Sequence, residues 1–492
     1  MLPTEPLPTA LLLGALGVLL ALSAVFSRAS IRLGVPVVLL FLVVGMLAGS
    51  EGVGGIWFDD YHLTFRVGTI ALVLILFDGG LNTPWRIARR VAAPATLLAT
   101  VGVVLTAAGA AGAARLAGFG WTEAMLLGSI VSSTDAAAVF SVLRGHGFRV
   151  RRRTGTTIEA ESGLNDPMAI ILTMTFAQVA LTRRPPDAAM FGLALAQLAI
   201  GLAAGIGFGI ASRGMLGRIP TLAGGLYPVL TMALAFITFG VTTLLQGSGF
   251  LAVYVAGIVL GDGRLPFRSG VLRVHDAVAW LSQILMFLAM GLLVFPSRLL
   301  TVAGAGLLVA FLLIFLVRPL MVHLLLFPFR YTHAERALVS WTGLRGAVPI
   351  VLATFPVLAN VPGAERIFDV VFFVVVVSAL VQGSTARLVT RRLGLSVPES
   401  PAPSAVLEIS SARPLESEVQ SFFLAPEAAA AGILLGDIPF PEGAGPVLVV
   451  RGEKLLPPRD DLRLEPGDHL YAFFRPEDRT RLQLLFGPLE GD

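Results

Sequence analysis

The chain contains no cysteine, little charge and only six histidines. The missing cysteines exclude a disulfide scaffold. Charged residues make up 14% of the 492 positions, against about 25% in an average soluble domain, so an ordinary soluble enzyme is excluded. A hydrophobic content of 55% and a mean hydropathy of +0.82 exclude a disordered chain. No metal-ligand spacing, Ser–His–Asp set or strand–GxGxxG–helix unit is present, so the usual marks of an enzyme or a dinucleotide-binding domain are lacking. The repeated filter loops of an ion channel are also missing.

The charge that is present is unevenly placed. Before Leu395 the chain carries 28 basic and 16 acidic residues; from Leu395 onward it carries 8 and 16. The chain reads as a basic, apolar body (1–394), a proline-bearing linker (395–403) and an acidic, polar tail (404–492). A pI near 9.9 suggests nucleic acid only if the bases cluster on one surface.

The body is a train of thirteen apolar runs: 7–27, 34–50, 65–82, 92–114, 122–142, 156–181, 189–212, 223–244, 249–261, 277–295, 299–325, 336–358 and 367–388. Each approaches the ~20 residues that cross a bilayer core of about 30 Å. With the tail inside the cell, an odd count places the N-terminus outside. The inner loops then hold seventeen arginines, and the outer loops hold five: Arg115, Arg183, Arg184, Arg298 and Arg366. Glu51, Asp59 and Asp60 make the first outer loop acidic. This asymmetry matches the positive-inside rule. It accounts for the basic excess as a topology signal and removes the nucleic-acid reading. The first run lacks a basic flank and a clear cleavage site, and reads as a retained span.

Charge at the bilayer centre costs about 2.5–3.5 kcal/mol on insertion scales. Four acids lie well inside runs: Asp78, Asp135, Glu161 and Asp166. One base, Arg345, is read as equally deep. Four acids cannot all be neutralised by one base, so the remainder must hold cations, protons or both. Asp78 and Asp135 lie about 13 residues from the outer side, ~20 Å at helical rise, and Asp166 about 10 residues from the inner side, ~15 Å. The three therefore converge in depth, near where transporter sites lie.

The surrounding residues disfavour smooth helices. In Ser132-Ser133-Thr134-Asp135 the side chains compete for backbone hydrogen bonds. In Glu161-Ser162-Gly163-Leu164-Asn165-Asp166-Pro167, Ser162 and Asp166 stack on one face at i and i+4, Glu161 and Asn165 stack beside them, and Pro167 frees a carbonyl. Gly343-Leu344-Arg345-Gly346-Ala347-Val348-Pro349 predicts a second broken helix. Two interrupted runs suggest inverted repeats around a central site. His275 and Asp276 leave two readings open, a pH sensor or a plain interfacial pair; His146 shares them.

Thr134-Asp135 with Ala136 to Phe140, the Glu161–Pro167 and Gly343–Pro349 segments, and Leu76-Phe77-Asp78-Gly79-Gly80-Leu81 together resemble the signature of NhaP-type monovalent cation/proton antiporters. The stretches Gly52–Ile56, Gly247–Tyr254 and Ala279–Gln283 resemble its potassium/proton branch. The segment Leu462–Leu470 is similar to a TrkA C-terminal (RCK-C) regulatory domain. The resemblance implies an all-α membrane domain of thirteen spans with inverted repeats, a small α+β cytoplasmic domain, a homodimer in a bacterial inner membrane, and elevator-like motion. It implies Asp166 as the central cation and proton carboxylate, Asp135, Thr134 and Ser162 as partners in the site, and a Glu161–Arg345 ion pair. Asn165 at the key pair implies electroneutral one-for-one exchange. Asp78 is open between the ion pathway and a structural role. The expected activity is K⁺ export against H⁺, with Na⁺/H⁺ exchange on the same fold as the main rival and a tail-gated cation channel as the second. K⁺, Na⁺ and H⁺ are transported substrates, and no cofactor is expected. Lipid surrounds the body, and a small ligand is expected at the tail.

The tail itself reads as strands at Val447–Val450, Lys454–Leu456, Leu462–Leu464 and His469–Phe474, a turn at Glu465–Asp468, and a helix over Pro476–Phe486.

Overall fold

Helix occurs in every one of the thirteen apolar runs. The computed structural model describes residues 6–33, 35–135, 148–185, 187–219, 224–263, 265–398 and 417–487, with 143, 405 and 407. The helices run in order α1 Leu7–Leu33, α2 Val37–Ala48, α3 Tyr61–Leu81, α4 Trp85–Leu97, α5 Val103–Leu116, α6 Trp121–Ile130, α7 Arg152–Thr182, α8 Ala188–Arg218, α9 Leu226–Leu244, α10 Gly249–Gly261, α11 Arg268–Leu292, α12 Pro296–Leu312, α13 Arg318–Leu325, α14 His333–Trp341, α15 Ala347–Leu358, α16 Ala364–Ser378 and α17 Ser384–Arg392. Among the described residues, eight helical stretches are long and apolar enough to cross a membrane, and shorter apolar helices stand beside them. Residues Ala136–Phe140, His146 and the 399–403 part of the expected linker lie outside the described residues.

Local chemistry sets the helix boundaries. Asp60 caps α3 by accepting from the Leu63 amide at 2.8 Å. Thr332 and Glu335 form a reciprocal capping box at α14. Three helix pairs are joined through π turns, at Leu98–Gly102, Leu313–Val317 and Ala379–Gly383. Such a wide turn shifts the side chains that follow it and is frequent at functional positions.

Two compact units result. One comprises Met1–Met215, Pro228–Gly263 and Leu272–Val397; the other comprises Leu216–Tyr227, Arg264–Val271 and Pro398–Asp492. In the first unit the helices carrying the expected site are deeply packed. Ala124, Leu126, Leu127 and Ile130 of α6 and Ile350 and Ala353 of α15 are fully buried. By contrast α8 turns Phe191, Leu195, Leu202, Ile206 and Ile210 outward, as suits a helix whose solvent is lipid. His275 is buried at 1% exposure, its Nε2 2.8 Å from Thr231 Oγ1 and its ring against Phe77.

In the second unit the tail forms a four-stranded antiparallel sheet. Its strands are β1 Glu418–Phe423, β2 Gly445–Arg451, β3 Lys454–Leu456 and β4 His469–Phe474, in the order β1-β4-β2-β3. The helix α18, Arg479–Phe486, packs Leu482 and Phe486 onto Phe422, Leu470 and Phe474. Two sequence expectations change. β1 was not anticipated, and Leu462–Leu464 is not a regular strand. It is held by an isolated bridge, Arg463 opposite Leu434, flanked by Leu435 N–H to Leu462 O and Leu464 N–H to Ile433 O. The reason is that its partner segment is equally short, so no ladder propagates. The expected turn at Glu465–Asp468 is present, with Gly467 at φ 93° and Asp468 Oδ2 accepting from the Glu465 amide at 2.8 Å.

Candidate functional site

Two helices stop inside the body, and their broken ends meet. α6 ends at Ile130 and the chain stays non-helical through Asp135; α14 ends at Trp341 and helix resumes at Ala347. The Asp135 amide donates to the Leu344 carbonyl at 2.7 Å. Arg345 Nε donates to the Val131 carbonyl at 2.9 Å. Each break thus satisfies backbone groups that the other leaves open, which apolar surroundings demand. Gly346 permits the approach: a Cβ there would lie 1.8 Å from Asp135 Oδ2.

The uninterrupted α7 runs past this crossing. Ser162 Oγ donates to the Thr134 carbonyl at 2.8 Å, and Asn165 Nδ2 donates to Thr134 Oγ1 at 2.6 Å. Asn165 is fully buried, Thr134 is 5% exposed and Asp166 is 7% exposed. Pro167 is carried within α7 without breaking it. The Ser133 hydroxyl and the Asp135 carboxylate both act on the Asp166 carboxyl. Asn165 Oδ1 and Asp166 Oδ1 are buried with no hydrogen-bond partner among the described residues. Buried oxygens without partners are costly, and the Asp166 carboxyl, with the Ser133 hydroxyl and the Asp135 carboxylate beside it, offers hard donors that suit a proton or an alkali cation.

Of the expected residues, Thr134, Asp135, Ser162, Asn165 and Asp166 are brought together. Asp78 sits half-buried in the last turn of α3, where Oδ1 accepts from Asn82 Nδ2 at 3.0 Å. Glu161 is buried, but its ion partner is Arg318, not Arg345. Arg318 Nη2 lies 2.7 Å from Glu161 Oε1 and 2.8 Å from Oε2. The physical reason is that Arg345 is engaged by backbone carbonyls, those of Val131 and Gly343. Arg318 and Arg345 flank Gly343, with Arg318 Nε 2.6 Å and Arg345 Nη1 3.2 Å from the place of its missing Cβ. Among the described residues the body therefore buries Arg318 as well as Arg345.

Sequence reasoning passed over three residues. Arg318 was visible as a base inside the eleventh run, beside Pro319. Ser133 stood inside the Ser-Ser-Thr-Asp stretch. Tyr254, on α10, gave no signal of its own: only the fold lays its ring over Gly163, where a Cβ would lie 2.4 Å from Cζ.

A multi-pass helical body whose two broken helices cross beside a buried carboxylate defines a membrane protein with a transporter-type centre. The chain belongs to the sodium/hydrogen exchanger family: the family model for the transmembrane sodium/hydrogen exchanger matches residues 18–392. A TrkA-C domain model matches residues 419–487. The chain is 43% identical over 449 residues to the K(+)/H(+) antiporter NhaP of Alkalimonas amylolytica, covering 91% of this chain and 78% of that protein. It is 39% identical over 479 residues to the K(+)/H(+) antiporter NhaP2 of Shewanella baltica, covering 96% and 82%. It is 28% identical over 382 residues to the Na(+)/H(+) antiporter ApNhaP of Aphanothece halophytica, covering 73% and 70%. The solved sodium proton antiporter MjNhaP1 of Methanocaldococcus jannaschii superposes with a TM-score of 0.69 at 22% identity, covering 78% of this chain and 99% of that one, and so shares the fold. The ions that such antiporters carry are substrates, not cofactors.

Proposed function

We propose that the protein is a secondary-active K⁺/H⁺ antiporter that exports K⁺ in exchange for H⁺ at the Asp166 carboxylate. The observation that carries this reading is the buried Asp166 carboxyl group, its Oδ1 unpartnered among the described residues, beside Ser133 and Asp135. Such a group is satisfied by one proton or one cation, and those two loads compete for it. If only the two loaded states change sides, exchange is obligatory. With Asn rather than Asp at position 165, one carboxylate titrates at the key pair, and one-for-one electroneutral exchange follows. Asp135, Thr134 and Ser162 shape the site, and Asp78 lines the approach to it. The K⁺ assignment is supported by the two relatives of about 40% identity that are named K(+)/H(+) antiporters. Na⁺/H⁺ exchange is the second reading, favoured by the name of the ApNhaP relative. The protein is a transporter, not an enzyme.

The same reading includes a bacterial inner-membrane location with the N-terminus outside and the tail in the cytoplasm, as the arginine asymmetry supports. It divides the chain into a membrane domain (1–394), a linker (395–403) and a regulatory domain (404–492) that binds a small ligand. It includes a lipid-embedded homodimer whose inverted repeats move the site by an elevator-like step. The test is cation-driven dequenching of a pH dye in everted vesicles, run with K⁺, Na⁺ and Rb⁺ from neutral to alkaline pH. Dequenching with K⁺ that disappears in Asp166→Asn is expected. Silence with both KCl and NaCl refutes antiport, and full activity in Asp166→Asn refutes the residue.

A further inference from the structure

The crossing of the broken helices depends on one peptide unit, Leu344–Arg345. Its carbonyl accepts from the Asp135 amide at 2.7 Å. Its N–H, on the opposite edge of the same plane, donates to Ser378 Oγ at 3.0 Å. Ser378 lies at the end of α16, where the π turn Ala379–Gly383 begins. The Ser378 hydroxyl donates onward to Gln382 Oε1 at 2.6 Å, and Gln382 Nε2 donates to the Trp341 carbonyl at 2.9 Å. Trp341 is the last residue of α14, so its carbonyl has no helical partner. Its indole Nε1 donates to Thr385 Oγ1 at 2.9 Å, on α17. Ser378 and Gln382 are each 1% exposed.

We infer that Ser378 and Gln382 are positioning residues for the cation site, acting through the Leu344–Arg345 peptide on Asp135. The direction of the relay is consistent along its length. Gln382 gives its amide hydrogen to Trp341 and so turns its oxygen to Ser378. Ser378 spends its only proton there and turns a lone pair to the Arg345 amide. That choice sets the tilt of the peptide plane, and the far edge of the plane fixes the Asp135 backbone beside Asp166. Neither side chain touches the carboxylates. The π turn places both side chains on the face of α16–α17 that meets the break, and Gln382 spans from the break to the end of α14.

This inference rests on the antiport reading above. The test uses full-length protein in proteoliposomes, with exchange measured against K⁺ concentration. Ser378→Ala and Gln382→Leu are expected to raise the apparent KM for K⁺ by about fivefold to tenfold, the worth of one buried hydrogen bond. Ser378→Thr, which keeps the hydroxyl, restores it. The double variant Ser378→Ala/Gln382→Leu is no worse than either single change, because the two groups form one relay. Unchanged KM in the folded variants, or strictly additive losses, overturns the inference. A purely structural role would lower the amount of folded protein and leave KM alone. If Ser378→Ala does not accumulate, Gln382→Met decides by the same criterion. Wild-type protein run alongside separates the two claims: a silent wild type refutes antiport, and an active wild type with unmoved variants refutes only the positioning role.

Discussion

Gly346 and Asp135 share one space. A Cβ on Gly346 would lie 1.8 Å from Asp135 Oδ2 and 2.5 Å from Asp135 Cβ. The carboxylate therefore occupies the volume that any other residue at position 346 would fill. Gly346→Ala must push Asp135 away from Asp166. Displacements near 1 Å at a reacting centre cost on the order of a hundredfold, and a loss of that size in cation-driven dequenching is expected. Gly207→Ala, on α8 with nothing within 4 Å of its Cβ, should exchange normally.

Arg318→Met leaves Glu161 charged, buried and unpaired. Breaking a buried pair from one side costs about 3–5 kcal/mol, so the thermal transition of detergent-solubilised protein should fall steeply. Glu161→Gln combined with Arg318→Met removes both charges and should recover most of the loss. Equal melting of the single and double variants would show that the loss does not come from the unpaired charge.

Gly163 tests the contact of α7 with α10. Its Cβ would meet Tyr254 at Cζ, 2.4 Å away, and at the hydroxyl oxygen, 2.7 Å away. Gly163→Ala is expected to cost about 1–3 kcal/mol by overpacking and to slow exchange. Tyr254→Ala in the same chain opens the space and should restore stability. If stability does not return, the steric account fails.

In the tail, Arg451 clamps Asp468 through two bonds of 2.8 Å, Nε to Oδ1 and Nη2 to Oδ2. Asp468 is fully buried. The hydrogen bonds that Arg451 donates to Asp468 raise the Arg451 pKa further. A group raised on folding contributes fully below its unfolded pKa and loses that contribution only as pH climbs through the folded value. Both values lie far above cellular pH, so the clamp is pH-independent there. Limited proteolysis of the tail in everted vesicles should run at one rate from pH 6 to pH 9, and faster at every pH in Arg451→Met. Exchange should persist in that variant with altered regulation.

The helix breaks were legible because they are local. Ser132 to Asp135 and Gly343 to Gly346 carry their own reasons not to be helical, and the i, i+4 stacking of Ser162 with Asp166 follows from helix pitch alone. Partner choice was not legible. Arg318 and Arg345 are both buried bases, and which one reaches Glu161 depends on Arg345 being taken by the carbonyls of Val131 and Gly343, a fact of packing. The strand at Glu418–Phe423 was hidden for a similar reason: its pairing with His469–Phe474 spans a long stretch of chain. The place of Tyr254 is not legible in the sequence, since nothing along the chain says what lies across Gly163.

The bond from Arg345 Nε to the Val131 carbonyl joins residues 214 positions apart. During synthesis, a chain inserted as far as its sixth span already holds Asp135 and Asp166 in the bilayer. It does not yet hold the peptide that orients them. Over more than a third of the chain, from Asp166 to Leu344, those two carboxylates are in place without the partner segment that makes them a site. Truncation after the sixth span therefore leaves a chain with both carboxylates and no site.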